Sequence, residues 1–352
     1  MLTKVKNQES WNKLLRAVGE YDCYHTYEYH EITRKPSEES FLLKYESGST
    51  LILVPFVKRR IVGTPYFDLT SVYGYAGPLM NTKTTESDIK LFQQLFKDFI
   101  QKEKVVSVFS RLHPFLSFQE PVLQGIGDVV PIGPVVNIDL TKALEDQRSA
   151  FSKTTKRYLN KLKRQFYVYL GKSETDIDDF VTLYESTMDR VDASESYYFS
   201  REYYSKFLRS TEFETDLIFA KTLDQHQVAS AAIMIKTGNI VQYHLSGTHQ
   251  EYLGSSPLRM LIDDTRTRAT EQGYKYFNLG GGVGGREDSL LRFKSSFSKD
   301  YKAFKIWKYI ADPKVYEELC REAGLDLSGD PESEANGFFP LYRMKDVKTG
   351  AY

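Results

Sequence analysis

The stretch DSLLRFKSSF, residues 288–297, sets one lysine among leucines and phenylalanines. With Asp288 as N-cap and helical stepping, Leu290, Phe293, Lys294 and Phe297 share one face, with Leu291 at its edge. Arg292, Ser295, Ser296 and Lys299 fall on the opposite face. An ammonium group on an apolar face has two uses. It snorkels past the core to water, or it enters a crevice where it meets a phosphate or a developing oxyanion. Just before it, GGGVGG crowds five glycines into positions 280–285. Gly280, Gly282 and Gly285 satisfy GxGxxG, but too little chain follows to supply the βαβ units of a dinucleotide fold. No Gly-Lys-Ser/Thr closes a Walker loop either. The run is then a hinge, or a place where the backbone of Gly281 and Gly282 comes close to a ligand.

A second anion-seeking stretch is Gly254-Ser255-Ser256-Pro257, at the predicted start of a helix. Free amides and the helix dipole attract anions there, and two hydroxyls add donors. Ordinary capping by Ser256 is the competing reading. Two groups are candidates for moving a proton. His244, mid-strand in QYHLS, also reads as a packed histidine, and Asp68 in DLTSVYGYAGP also reads as a turn cap. Tyr73, Tyr75, Arg111 and His113 lie at predicted strand ends. Aromatic faces beside an arginine suit a sugar or nucleotide-sugar, although Arg111 equally suits a plain ion pair. The basic stretch SKTTKRYLNKLKR, 152–164, suits a diphosphate or RNA, or is the solvated face of a helix. His25 and His30 have no third ligand in view and there is no HExxH, so no metal is expected.

The elements that must carry these residues occur twice over. In the first half, 41–46 and 50–60 read as strands paired across Gly48. Short extended pieces follow at 66–71 and 77–81, then a helix over 85–103 and a strand over 105–110. In the second half, 217–222, 228–236 and 240–246 are three strands joined by tight turns. A helix from 257 to 272 ends at Gly273, and a strand runs over 274–279. Between the halves, 142–164 and 176–189 read as helices. The tail after Gly324 is rich in glycine, proline and acid and reads as a surface loop.

Composition narrows the class. The 352 residues carry 47 Lys+Arg against 47 Asp+Glu, which argues against a protein living on bulk nucleic-acid or membrane charge. Hydrophobic residues at 41% and charged residues at 27% fit a soluble globular chain. Cys23 and Cys320 match no metal or redox spacing, which implies a reducing cytoplasm and two inert thiols. The start lacks a signal-peptide core, and the apolar run 51–57 is too short to span a bilayer.

YLGSSPLRMLIDDTRTRATEQGYKYFNLGGG followed by DSLLRFKSSFS resembles the catalytic half of the FemAB-like branch of the GNAT acyltransferase superfamily. YFDLTSVYGYAGPL, SRLHPF and FFPLYR resemble the same branch, so the likeness runs over roughly 41–343. It implies an α/β (α+β) chain of two tandem GNAT-like domains, each a mixed, mostly antiparallel sheet flanked by helices, with a cleft between them. The boundaries expected are 1–140 for a degenerate, acceptor-side domain, 141–324 for the catalytic domain, and 325–352 for a tail packing back on the surface. Acyl transfer to an amine is the implied chemistry. The branch includes aminoacyl-tRNA-dependent enzymes of peptidoglycan bridges, which usually show Arg-Gly-Pro followed by an acid and a tyrosine. Here the stretch is Tyr75-Ala76-Gly77-Pro78-Leu79-Met80-Asn81-Thr82, without that arginine or acid, and the helical-hairpin insert that touches tRNA in some of them is missing. Weight moves toward an acyl-CoA donor.

On this reading Gly254, Ser255 and Ser256 hold the donor phosphates, the run at Gly281 and Gly282 passes the acyl chain, and Lys294 stabilises negative charge. Water chains, Asp68 or His244 take the proton. Tyr73, Tyr75, Arg111 and His113 meet the acceptor, which is a sugar, nucleotide-sugar or lipid-linked saccharide of cell-envelope polysaccharide assembly. Two alternatives stand beside it: an aminoacyl-tRNA-dependent transferase acting on a peptidoglycan precursor, and a non-catalytic glycan-binding module.

Overall fold

The computed structural model describes residues 1–325 and 338–344. The chain divides into two compact units: Met1–Ile132 with the described residues from Phe304 onward, and Gly133–Ala303.

In the first unit the sheet runs Leu2–Val5, Glu39–Ser47, Thr50–Arg60, Phe67–Thr70, Val105–Arg111, Asp300–Ile310. Neighbours are antiparallel except Phe67–Thr70 and Val105–Arg111, which are parallel. Parallel strands need a crossover, and the helix Glu86–Lys102 supplies it, opened by a capping box between Thr85 and Asp88. Its apolar stripe, Phe92, Phe96 and Ile100, packs with Phe41, Phe56 and Trp307. The helix Gln8–Val18 buries Trp11, Leu15 and Val18 with Leu42 and Leu53, the alternate strand residues. With both faces covered, Thr50–Arg60 is buried almost throughout.

The second unit repeats the plan. Its sheet runs Phe166–Gly171, Glu214–Thr222, Val228–Thr237, Ile240–Thr248, Tyr276–Gly280, Asp128–Asp139. The first four strands are antiparallel, and the helix Leu258–Glu271 crosses over so that Tyr276–Gly280 lies parallel to Ile240–Thr248. One face packs Leu159, Leu261, Ile262, Ala269, Leu291 and Phe297. The helices Glu174–Arg190 and Arg201–Leu208 cover alternate strand residues such as Phe219 and His244.

The mixed α/β architecture and its internal repeat agree with the pattern of the sequence. Several details differ. The expected helix over 142–164 is two helices, Leu144–Ser149 and Lys153–Leu162, because Ser152 turns its side chain onto the Thr155 amide and starts a new helix. Ser256 is not an N-cap. It sits at φ +55°, and Pro257 takes the cap position without a side-chain bond. Residues 304–324 fall in the first unit, because Asp300–Ile310 returns to pair with Val105–Arg111. Of the expected surface tail, 326–337 and 345–352 lie outside the described residues.

Candidate active site

The second unit's two parallel strands part. Ile240, Val241 and Gln242 pair with Tyr276, Phe277 and Asn278, and there the ladder ends. Both strands carry an extra residue at this point. Ile233 and Met234 oppose Leu245 and Tyr243, which leaves His244 as a bulge, while Asn278 and Gly280 oppose Asn137 and Val136, which leaves Leu279 as another. Bulges bend strands and end pairing. Asn278 seals the apex: its amide donates to Gln242 Oε1 at 2.9 Å, and its carbonyl accepts the Gly280 amide at 2.9 Å. Beyond the apex, among the described residues, Tyr243–Thr248 continues as strand with no further ladder pairing to Tyr276–Gly280, and the Thr248 amide donates to the Thr187 hydroxyl at 3.1 Å.

Lys294 belongs to this place. It ends the short helix Ser289–Lys294, which Asp288 caps through the Leu291 amide. The lysine is only 6% exposed, as buried as Leu291 at 6%, whereas Leu290 of the predicted face is 37% exposed. Its Nζ donates to the Gly281 carbonyl at 2.7 Å and lies 5.7 Å from the centre of the Tyr243 ring. Burial pulls the ammonium from 10.5 down to about 8, with Asp288 opposing. At neutral pH it is a desolvated cation with one hydrogen bond to a neutral carbonyl, so it responds strongly to a new negative charge. Tyr243 adds a phenol bonded to the Ser246 hydroxyl, which burial pushes up to about 12.

The glycine run is packed for its own sake. A Cβ on Gly281 would lie 2.7 Å from the Pro134 carbonyl oxygen, and one on Gly282 would lie 2.0 Å from the Arg286 carbonyl oxygen. The run folds back, and Asp288 accepts the Val283 amide at 2.8 Å. Its glycines admit neighbouring backbone, and through the Gly281 carbonyl they position Lys294. At the loop before Leu258–Glu271 the expectation needs amending. The Ser255 and Ser256 amides already donate to the Tyr252 carbonyl, at 3.0 and 3.1 Å; the two serines are half-buried and Gly254 is exposed. Ser255 lines a concavity of about 620 Å³ together with Arg164, Phe166 and Tyr252.

A family model for the acetyltransferase (GNAT) domain matches residues 149–301, which hold Lys294, the glycine run and the two parting strands. Residues 149–301 are a GNAT domain. None of the curated proteins matches the chain by sequence. Solved structures match in fold at low identity. FemX has a TM-score of 0.71 at 10% identity, covering 90% of this chain and 99% of its own. The lysylphosphatidylglycerol synthetase L-PGS from Bacillus licheniformis has a TM-score of 0.55 at 11% identity, over 86% and 91%. A tandem GNAT protein from the clavulanic acid biosynthesis pathway has a TM-score of 0.51 at 10% identity, over 89% and 99%. The chain shares the fold of these structures, and residues 149–301 carry the match to the acetyltransferase (GNAT) domain.

His244 also lies within residues 149–301, but its ring has other partners than Lys294. Its ring packs on Phe207 at 5.1 Å and its Nε2 meets the Tyr203 hydroxyl at 3.3 Å, on the face covered by the helices Glu174–Arg190 and Arg201–Leu208. Burial lowers it to about 4, which makes it a weak base. Asp68 lies in the first unit, where it is engaged by two arginines. It is fully buried, and both its oxygens are engaged at 2.6 Å, one by Arg59 and one by Arg343, with the Tyr342 hydroxyl at 3.2 Å.

Of the acceptor candidates, Tyr73 is 53% exposed and Arg111 stacks 5.5 Å from its ring centre, which forms an outward platform. Tyr75 packs edge-on to Tyr24 and Phe304. His113 is buried, with Nε2 at 2.9 Å from Asp22 Oδ2, beside His25. It supports this cluster and does not reach solvent. The parallel strands of the first unit stay joined: the Ser71 amide bonds to the Phe109 carbonyl, and Ala76 bridges Leu112. Among the described residues no group of three or more His, Cys, Asp or Glu is placed to hold a metal ion, and no helix is long and apolar enough to cross a membrane.

Proposed function

We propose that this protein moves an acyl group from an acyl-CoA thioester to an amine or hydroxyl of a sugar, nucleotide-sugar or lipid-linked saccharide, in cell-envelope polysaccharide assembly. One observation carries the reading: the buried Lys294 ammonium stands where the parallel strands of the GNAT domain part, beside the ring of Tyr243. Attack of a neutral amine on a thioester carbonyl makes a tetrahedral oxyanion. A pre-placed cation in a dry site stabilises that charge as it forms, an effect worth about 3–4 kcal/mol per donor in comparable sites. The amine proton leaves through water, and the thiolate departs as the carbonyl reforms. The Ser255 and Ser256 hydroxyls and exposed Gly254 serve the donor phosphates. In the first unit, the Tyr73–Arg111 platform suits the apolar face and hydroxyls of a sugar. Its joined strands fit the acceptor-side, degenerate role for residues 1–140.

A second donor fits about equally: an amino acid esterified to tRNA. The acid-free helix Lys153–Leu162 and the likeness to FemX and L-PGS support it. The two readings part in one experiment. Purified protein is given acetyl-CoA, longer acyl-CoAs or charged tRNA together with amino sugars, UDP- or dTDP-amino sugars, or a peptidoglycan precursor. Product is followed by mass spectrometry, with and without RNase. Free CoA thiol released in step with acylated sugar supports the first reading. Transfer that vanishes with RNase replaces it with the second, and no transfer from either donor removes both.

A further inference from the structure

Arg259 lies in the first turn of the helix Leu258–Glu271 and reaches toward two other helices. Its Nη1 donates to Thr155 Oγ1 at 2.7 Å and to Ser296 Oγ at 2.8 Å, and those two hydroxyls bond each other at 2.8 Å. The guanidinium rests 4.8 Å from the centre of the Phe293 ring and 5.3 Å from that of Tyr158. What it lacks is an anion. Arg59, Arg266, Arg268 and Arg343 each hold a carboxylate within 2.8 Å. Among the described residues Arg259 forms no ion pair, and its Nε is buried without an acceptor. Burial lowers its affinity for the proton, and no carboxylate opposes the effect. The surroundings add no negative charge: Lys153–Leu162, which supplies Thr155, contains four basic residues and no acid.

A half-buried cation with an unmet donor costs stability unless something completes it. A phosphate does so well. It accepts from the fork of Nε and Nη2, as guanidinium geometry favours, while Thr155 and Ser296, whose own protons go to Ser296 Oγ and to the Phe293 carbonyl, hold Nη1 in place. We infer that Arg259, positioned by Thr155 and Ser296, forms a seat for a phosphate group of the acyl donor, an inference that rests on the phosphate-bearing donor proposed above. The seat is distinct from the loop Gly254–Ser255–Ser256. It explains why an arginine without a carboxylate stands between the helix that follows that loop and the helix that carries Lys294.

The test is binding, read apart from catalysis. Wild-type protein, Arg259→Gln and Arg259→Lys are titrated calorimetrically with inorganic pyrophosphate, CoA, dephospho-CoA and a short RNA ending in CCA. The expected result is that at least one phosphate probe binds the wild type, and that Arg259→Gln weakens it by about tenfold to a hundredfold. Arg259→Lys recovers part of the loss. CoA bound more tightly than dephospho-CoA assigns the seat to the 3′-phosphate, and equal binding assigns it to the pyrophosphate. Preference for the RNA assigns it to a tRNA end. Should Arg259→Gln fold poorly, the Arg259 Nε–H signal of the wild type is followed by NMR as pyrophosphate is added, and it must shift on saturation. Unchanged affinity in folded Arg259→Gln, an unmoved Nε–H signal, or no phosphate probe binding the wild type overturns the seat. The donor reading is judged separately, by product formation in the transfer assay.

Discussion

Replacing Lys294 with methionine separates what the GNAT domain gains in stability from what it does. Burial lowers the ammonium from 10.5 to about 8. At 1.36 kcal/mol per unit, that drop is about 3 kcal/mol held against the folded domain while the lysine is charged. Methionine keeps the length and removes the charge. It also leaves the Gly281 carbonyl without its donor, at a cost of about 1–3 kcal/mol. The net change lies between neutral and about 2 kcal/mol in favour of the variant, so calorimetry should show Tm unchanged or raised by a few degrees. Acyl transfer should fall by about a hundredfold or more, because the oxyanion loses its cation. The pH dependence follows with its sign. Below about 8 the folded lysine is charged and the rate benefits, and as pH rises through about 8 that benefit is lost. Between about 8 and 10.5 the unfolded chain binds a proton that the folded one does not, so stability rises with pH there and the methionine variant should lose that rise. Lys294→Arg, which stays charged, should push the alkaline limb of the rate upward. A methionine variant with wild-type turnover, or one destabilised by several kcal/mol, would refute the reasoning.

Three further outcomes are expected. Asp68→Asn leaves Arg59 and Arg343 buried without a counter-charge and should cost about 3–5 kcal/mol in urea unfolding, with the rate per folded molecule unchanged; a large rate loss in a stable variant would point to Asp68 as the base. His25 and His30 are each lowered to about 3, chiefly by burial. The unfolded chain therefore takes up protons first, and stability is complete above about 6.5 and lost as pH falls, by about 2 kcal/mol per histidine at pH 5; His30→Phe should flatten the fall in urea midpoint between pH 7.5 and 5. Gly282→Ala would set a Cβ 2.0 Å from the Arg286 carbonyl oxygen, and should lower stability by about 1–3 kcal/mol and reduce the rate through the displaced Asp288 cap, as read by thermal shift and transfer assay.

What was legible in the sequence was periodic or local. Phe92 and Phe96 recur at helical spacing, and Glu86–Lys102 followed within a residue of the expected ends. Lys294 was found by the same stepping, because a helix face is a property of neighbours in sequence. The strands Asp128–Asp139 and Asp300–Ile310 were not anticipated: the first holds two prolines, and the second carries lysine at every third position, 302, 305 and 308, which masks the alternation of a strand. The parting of the strands was illegible because the bulges at His244 and Leu279 arise from pairing with other strands. The surroundings of Asp68 were illegible because its partner Arg343 lies 275 residues away. Arg259 escaped notice because an unpaired charge becomes visible only when every neighbour is known.

The strand Asp300–Ile310 begins in the second unit and completes the sheet of the first. Protein synthesis therefore runs against the architecture. When residue 132 leaves the ribosome, the edge of Val105–Arg111 still waits for a strand that more than 170 residues of intervening chain separate from it. The later unit can finish first, while the earlier one stays open to mispairing until its last strand arrives.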